Sequence, residues 1–166
     1  MSKTQDDLKA AFAGESQANR RYLAFAKKAE SENQPGVAKL FRAAAEGETV
    51  HALNHFRNLG ETKGTAENLA AAIAGETYEI EKMYPEFLGD AQDENEKRAE
   101  MSFSGALKVE RVHQGLFKGA LAKLEAGEDV ADADFWICPV CGFPAKDHAP
   151  GVCPVCATPG DKFYKV

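Results

Sequence analysis

Glu48-Thr49-Val50-His51 and Glu110-Arg111-Val112-His113 are two copies of one four-residue pattern, 62 positions apart, each inside a strongly helical stretch. A carboxylate and an imidazole at i and i+3 share one helix face, so each pair can grip one metal ion. A further Glu precedes each pair on an apolar stripe of its own, Glu15 before the first and Glu76 before the second. A lone Glu-x-x-His would mean little on any helix. Two of them on alternate helices, each complemented by an inward Glu from another helix, predict a dinuclear metal site.

Working outward, helical periodicity predicts four helices before about residue 125. Thr4 and Asp7 are the expected cap of the first, with Leu8, Phe12, Glu15, Tyr22 and Phe25 on its stripe until Asn33. Pro35-Gly36 starts the second, whose stripe carries Val37, Leu40, Ala44, Glu48, His51, His55 and Leu59. Thr65 is the expected cap of the third, with Leu69, Ile73, Glu76, Ile80, Met83 and Phe87 facing inward. The fourth runs from about Glu94 to Glu125 and turns Phe103, Ala106, Glu110, His113, Phe117, Leu121 and Leu124 inward. Unpaired carboxylates at such core positions would cost on the order of several kcal/mol. Lys and Arg are sparse on these stripes, so a metal is the expected compensation.

Glu79 adds a fifth carboxylate, one turn after Glu76 on the third helix. Five carboxylates against two ferrous ions leave the site close to neutral, and oxygen-rich ligation with one imidazole per metal suits iron or manganese. His55 lies one turn past His51 and reads either as support for a ligand or as an ordinary core histidine. His148 reads as exposed. Tyr22 and Tyr84 fall near ligand turns, where they either pack or hydrogen-bond a ligating Glu.

The tail is different in kind. Glu125–Asp134 (EAGEDVADAD) is acidic and reads as a linker. Beyond it stand Cys138-Pro139-Val140-Cys141 and Cys153-Pro154-Val155-Cys156. Paired Cys-x-x-Cys knuckles signal one tetrahedral four-thiolate site for zinc or iron. A segment this short cannot build an adequate core alone, so the metal must hold it together, with Phe135, Trp136, Phe143, Phe163 and Tyr164 as an apolar jacket. The expected organisation is a bundle over 1–126, a linker over 127–134 and the four-cysteine domain over 135–166.

Of the 166 residues, 44% are hydrophobic and 28% charged, as in a soluble globular protein, and the net charge of −6 argues against nucleic acid or an anionic membrane as partner. The polar start and the absence of a long apolar run predict a cytoplasmic chain. There, four cysteines hold a metal more readily than they form disulfides.

With Glu15-Ser-Gln-Ala, Gly75-Glu76-Thr-Tyr-Glu79, Met83-Tyr84-Pro85, both Glu-x-x-His pairs and both Cys-Pro-Val-Cys knuckles in place, the chain resembles the rubrerythrins over essentially its whole length. The resemblance implies a mainly α protein: a ferritin-like four-helix bundle followed by a small, metal-stabilised rubredoxin-like domain. It implies two non-haem irons, bridged by carboxylates and an oxo group, and one iron on Cys138, Cys141, Cys153 and Cys156, with zinc able to substitute. By the family pattern Glu48 and Glu110 bridge, Glu15 is terminal on one iron, and Glu76 with His113 completes the other. Glu79 holds the first iron when oxidised and His51 when reduced, which suits a harder ferric and a softer ferrous ion. Tyr22 and Tyr84 match the family's active-site tyrosines. The implied activity is reduction of hydrogen peroxide to water in oxidative-stress defence. Electrons would come from a rubredoxin or an NAD(P)H-dependent reductase through the four-thiolate iron. The competing reading is a ferroxidase or iron store. One departure is Ala157, where rubredoxins usually carry Gly after the second knuckle.

A second departure concerns topology. Only about six residues (Gly60 to Thr65) join the second and third helices, spanning at most ~21 Å. The ligands lie ~16 Å along each helix from that loop, so a within-chain crossover has roughly twice that height to recover. Either the bundle runs up-down-up-down, or a homodimer exchanges helix pairs; the ligand arrangement favours the exchanged homodimer.

Overall fold

Asparagine-ended helices and short turns shape the chain into two helical hairpins. The computed structural model describes residues 2–130 and 132–166; Ala131 of the expected linker lies outside the described residues, as does Met1. The chain forms two compact units, one ending at Lys63 and the other beginning at Gly64.

The first unit is α1 (Lys3–Ser31) packed antiparallel on α2 (Pro35–Leu59). Ser2 caps α1, its hydroxyl accepting from the Gln5 N–H at 3.4 Å, because the helix starts at Lys3 and leaves the expected caps Thr4 and Asp7 inside it. Asn33 ends α1 in the left-handed region (φ 57°), and the Gln34 N–H returns to the Ala29 carbonyl at 2.9 Å. Pro35 then opens α2, where its missing N–H costs nothing. The seam is built of small residues. Ala38, Ala45 and Ala52 recur every seven positions on α2 and are buried, as are Asn19, Ala26 and Ala29 of α1. A seven-residue repeat keeps one stripe against its neighbour, and alanines let the two backbones approach closely.

The second unit begins with α3 (Thr65–Tyr78), which continues without a break through a π-helical segment (Glu79–Met83) into α4 (Tyr84–Asp93). Gly64, not Thr65, is the cap residue, and its N–H is held by the Glu67 carboxylate at 3.2 Å. A turn through Asn95 (φ 58°) leads into α5 (Lys97–Glu125), which packs antiparallel on the third helix. After it, β1 (Phe135–Ile137) is the centre of a three-stranded antiparallel sheet in the order β2-β1-β3, with β2 at Pro144–Lys146 and β3 at Tyr164–Lys165. Cys138, Ala145, Cys153 and Phe163 form its buried core, with Trp136, Phe143 and Val155 packed around them.

The two hairpins repeat one another in sequence. Tyr22, Phe25, Ala29, Asn33, Phe41, Glu48 and His51 recur as Tyr84, Phe87, Ala91, Asn95, Phe103, Glu110 and His113, always 62 positions on. Upstream the offset is 61: Ala13-Gly14-Glu15-Ser16 recurs as Ala74-Gly75-Glu76-Thr77. Local geometry repeats too. The Ser16 and Thr77 hydroxyls each donate to the carbonyl four residues back, both at 2.6 Å. The additional residue falls between Glu76 and Tyr84, and the π segment absorbs it.

Candidate metal centres

Each hairpin gathers one carboxylate from its first helix and a Glu-x-x-His pair from its second. In the first unit the His51 Nδ1 lies 3.0 Å from Glu48 Oε2 and 3.8 Å from Glu15 Oε1. In the second, His113 Nδ1 lies 2.8 Å from Glu110 Oε2 and 3.7 Å from Glu76 Oε1. The potential donor atoms of each trio lie within 4.8 Å of one another, as one ion requires. Polar pegs fix the helices beside them. Asn19 Nδ2 donates to the Ala45 carbonyl (2.7 Å) and to the hydroxyl of Thr49 (2.8 Å), the neighbour of Glu48. In the second unit Gln114 Nε2 donates to the Thr77 hydroxyl at 2.7 Å, tying the neighbours of His113 and Glu76.

The electrostatics of both trios call for a cation. In the first, Glu15 is raised chiefly by sharing a hydrogen bond with Glu48, while Glu48 is lowered by accepting from Glu15 and His51. In the second, burial and then the charge of Glu110 push Glu76 up to about 7. Its Oε2 is buried without a hydrogen-bond partner. A buried carboxylate oxygen with nothing to bind is costly, and a metal ion would satisfy it. Oxygen-rich sets with one imidazole each suit iron.

Glu79 lies outside the second trio but within its field: burial and then the charge of Glu110 raise its carboxyl. The Tyr84 N–H bonds to the Glu79 carbonyl five residues back, so the π turn stacks Tyr84 over Glu79. Residues five apart in an unbroken α-helix would point about 140° apart. Burial and the charges of Glu110, Glu79 and Glu76 push the Tyr84 phenol upward. Tyr84 also packs on Phe87 and Phe103, and Tyr22 on Phe25 and Phe41. His55 faces Glu15 closely enough for its charge to lower that carboxyl. His148 is exposed.

The four cysteines converge on one point. Cys138 Sγ lies 3.6 Å from Cys156 Sγ, and Cys141 Sγ 3.5 Å from Cys153 Sγ. The two knuckles are built alike. The Gly142 and Ala157 N–H groups donate to the Cys138 and Cys153 carbonyls, both at 3.0 Å, and both residues have positive φ. Burial pushes the Cys141 thiol up. At Cys156 the same effect is outweighed by the Thr158 hydroxyl, 3.0 Å away, and the Thr158 N–H, which bring the thiol down to about 6. Four sulfurs within 4.8 Å of one another fit a single four-thiolate iron.

The rubrerythrin family profile matches residues 6–121, and the profile of the rubrerythrin rubredoxin-like domain matches 136–164. The chain belongs to the rubrerythrin family. It is similar to rubrerythrin-2 of Clostridium acetobutylicum (38% identical, over 96% of this chain and 95% of that one). It also resembles the nigerythrin of Nitratidesulfovibrio vulgaris (33% identical, over 98% of this chain and 86% of that one). Among solved structures, mixed-valence and all-ferrous nigerythrins match with a TM-score of 0.58 at 32% identity, covering 100% of this chain and 88% of theirs. The fold is therefore the ferritin-like one of the rubrerythrins, mostly helical, with a C-terminal rubredoxin-like region. The chain carries that family's di-iron carboxylate groups, one Glu/His trio in each unit, and its four-cysteine rubredoxin-like iron site. None of the described helices is long and apolar enough to cross a membrane.

Sequence reading overlooked Asn19, Gln114 and Thr158. Asn19 alone left a trace, as a polar residue on an apolar stripe one turn past Glu15. The partners of Gln114 and Thr158 are set by tertiary contact and have no local pattern.

Proposed function

We propose that this rubrerythrin reduces hydrogen peroxide to water at the Glu/His site, drawing electrons through the four-cysteine centre from a rubredoxin or an NAD(P)H-dependent reductase. The observation that carries the reading is the presence of both centres on one chain. An iron store has no use for a thiolate-bound electron relay. Each turnover takes two electrons and two protons and yields two molecules of water. An iron pair held there supplies the two electrons that cleave the O–O bond.

The residues divide the remaining work. Glu48 and Glu110, with Glu15, Glu76 and His113, would hold the iron pair in both oxidation states. Glu79 and His51 would be alternative ligands of one iron, the anionic carboxylate suiting the ferric ion and the neutral imidazole the ferrous one. Glu79 has no counterpart in the first hairpin, where Gln17 and Ala18 occupy the matching positions, so it is the element that makes the two metals unequal. Tyr84 Oη keeps its proton at neutral pH, because burial and three carboxylates oppose its loss, and it offers that hydrogen to a peroxide oxygen. Tyr22, its repeat partner, offers a hydroxyl hydrogen from the first hairpin. Anaerobic stopped-flow mixing of the reduced protein with peroxide should oxidise both iron centres rapidly. Slow oxidation of the Glu/His site would end the peroxidase reading.

We further propose a homodimer in which helix pairs are exchanged. The first unit supplies Glu15, Glu48 and His51 and the second Glu76, Glu79, Glu110 and His113, and only Gly60–Gly64 joins them. Leu40, Val50 and Leu53 of α2 are more than half exposed, as expected of a face that meets another chain.

A further inference from the structure

Within the second unit the four-cysteine domain is seated on α5, and a glycine makes the seat. A Cβ placed on Gly105 would lie 4.0 Å from the Cys141 Cβ, in van der Waals contact. Ser104, Gly105 and Lys108 of α5 line one cleft together with Val155 and Cys156 of the second knuckle. Further along the same helix, His113, Leu116 and Phe117 line another cavity with Phe135 of β1 and Lys146 of β2. The domain therefore lies along α5 from Gly105 to beyond His113. From Gly105, Glu110 and His113 follow at about 7.5 Å and 12 Å of helix rise.

We infer that Gly105 is a positioning residue for electron transfer: by lacking a bulky side chain it sets how close the Cys141 thiolate comes to the helix that carries Glu110 and His113 of the same chain. This rests on the reading of the four-cysteine centre as the relay to the Glu/His site. Each event moves one electron. The four-cysteine iron would be oxidised from ferrous to ferric as the Glu/His site gains that electron. Two events would restore the pair, and a reduced rubredoxin or an NAD(P)H-dependent reductase would refill the relay. Electron tunnelling decays steeply with distance, so the bulk of residue 105 governs its rate without touching either metal.

Ordinary contact distance leaves room for one methyl group at this point and no more. Gly105→Ala should therefore behave as the parent, and Gly105→Leu should lift the domain. Leucine favours a helix more than glycine does, so folding is not at risk. The zinc-loaded protein should show a nuclear Overhauser effect between a Gly105 Hα and the Cys141 Hβ protons, replaced in Gly105→Ala by one from the new methyl group and lost in Gly105→Leu. In the iron-loaded protein, Gly105→Leu should slow oxidation of the four-cysteine centre by the oxidised Glu/His site several-fold. Its visible spectrum should be unchanged, as should peroxide oxidation of the chemically reduced Glu/His site. Absence of the Overhauser effect in the parent, or parental transfer in Gly105→Leu, would overturn the inference. Failure of the peroxidase reading would look different, because the chemically reduced parent would itself react slowly with peroxide.

Discussion

Two residues carry strain that their replacement should release. Ala157 sits at φ 60°, where an L side chain crowds its own backbone by roughly 1–2 kcal/mol and glycine does not. Its equivalent in the first knuckle is Gly142 at φ 82°. Ala157→Gly should raise the stability of the four-cysteine domain by about 1 kcal/mol, part of the relief being offset by the flexibility of glycine when unfolded; thermal loss of the ferric thiolate absorption would measure it. Glu76 is strained by charge. Its carboxyl titrates near 7 in the folded, metal-free protein against 4.5 in an unfolded chain. A raised acid binds more protons folded than unfolded across that window, so stability falls as pH rises from about 4.5 to about 7. Metal-stripped protein should thus melt lower at pH 7 than at pH 5, whereas Glu76→Gln should flatten most of that slope. Iron-loaded protein should not show it, because the cation replaces the proton. Glu76 and the carboxylates gathered with the two histidines were legible in sequence because each puts a charge on an apolar stripe. The caps Ser2 and Gly64 were not, since Thr4, Asp7 and Thr65 are equally good cap types and only the first helical residue chooses among them.

Among the elements, the third helix departs most from its sequence pattern. Its apolar spacing reads as one unbroken α-helix, and nothing local marks the π segment. The insertion appears only when the hairpins are aligned, as a step from 61 to 62 positions. The π turn lets Glu76 and Tyr84, eight residues apart, share the side that Glu15 and Tyr22 share at seven. Deleting the exposed Lys82 should therefore convert the segment to α-helix and leave both flanking patterns in step. Circular dichroism should show undiminished helix and a melting temperature no lower than the parent's. Deleting the equally exposed Gln17 from α1, which has no residue to spare, should instead lower it sharply. A comparable loss in both variants would refute this account of the segment.

For the whole molecule, the question is which chains complete a site. If helix pairs are exchanged, co-expressed Glu48→Ala and Glu110→Ala chains form heterodimers in which one site bears both lesions and the other none. Peroxide reduction should then return in the mixture, although each variant alone is inactive. Unexchanged bundles would carry one lesion in every site, and the mixture would stay inactive. The short loop that raised this possibility was visible in sequence. The seating of the four-cysteine domain on Gly105 was not, because a contact between residues 105 and 141 leaves no periodic trace. The π segment also has a counterpart in the gene. One in-frame codon accounts for the whole difference in spacing between the halves, and the helix takes up those three nucleotides within a single widened turn. A coding sequence that gains or loses a triplet here can keep its reading frame, its loops and both flanking helical faces.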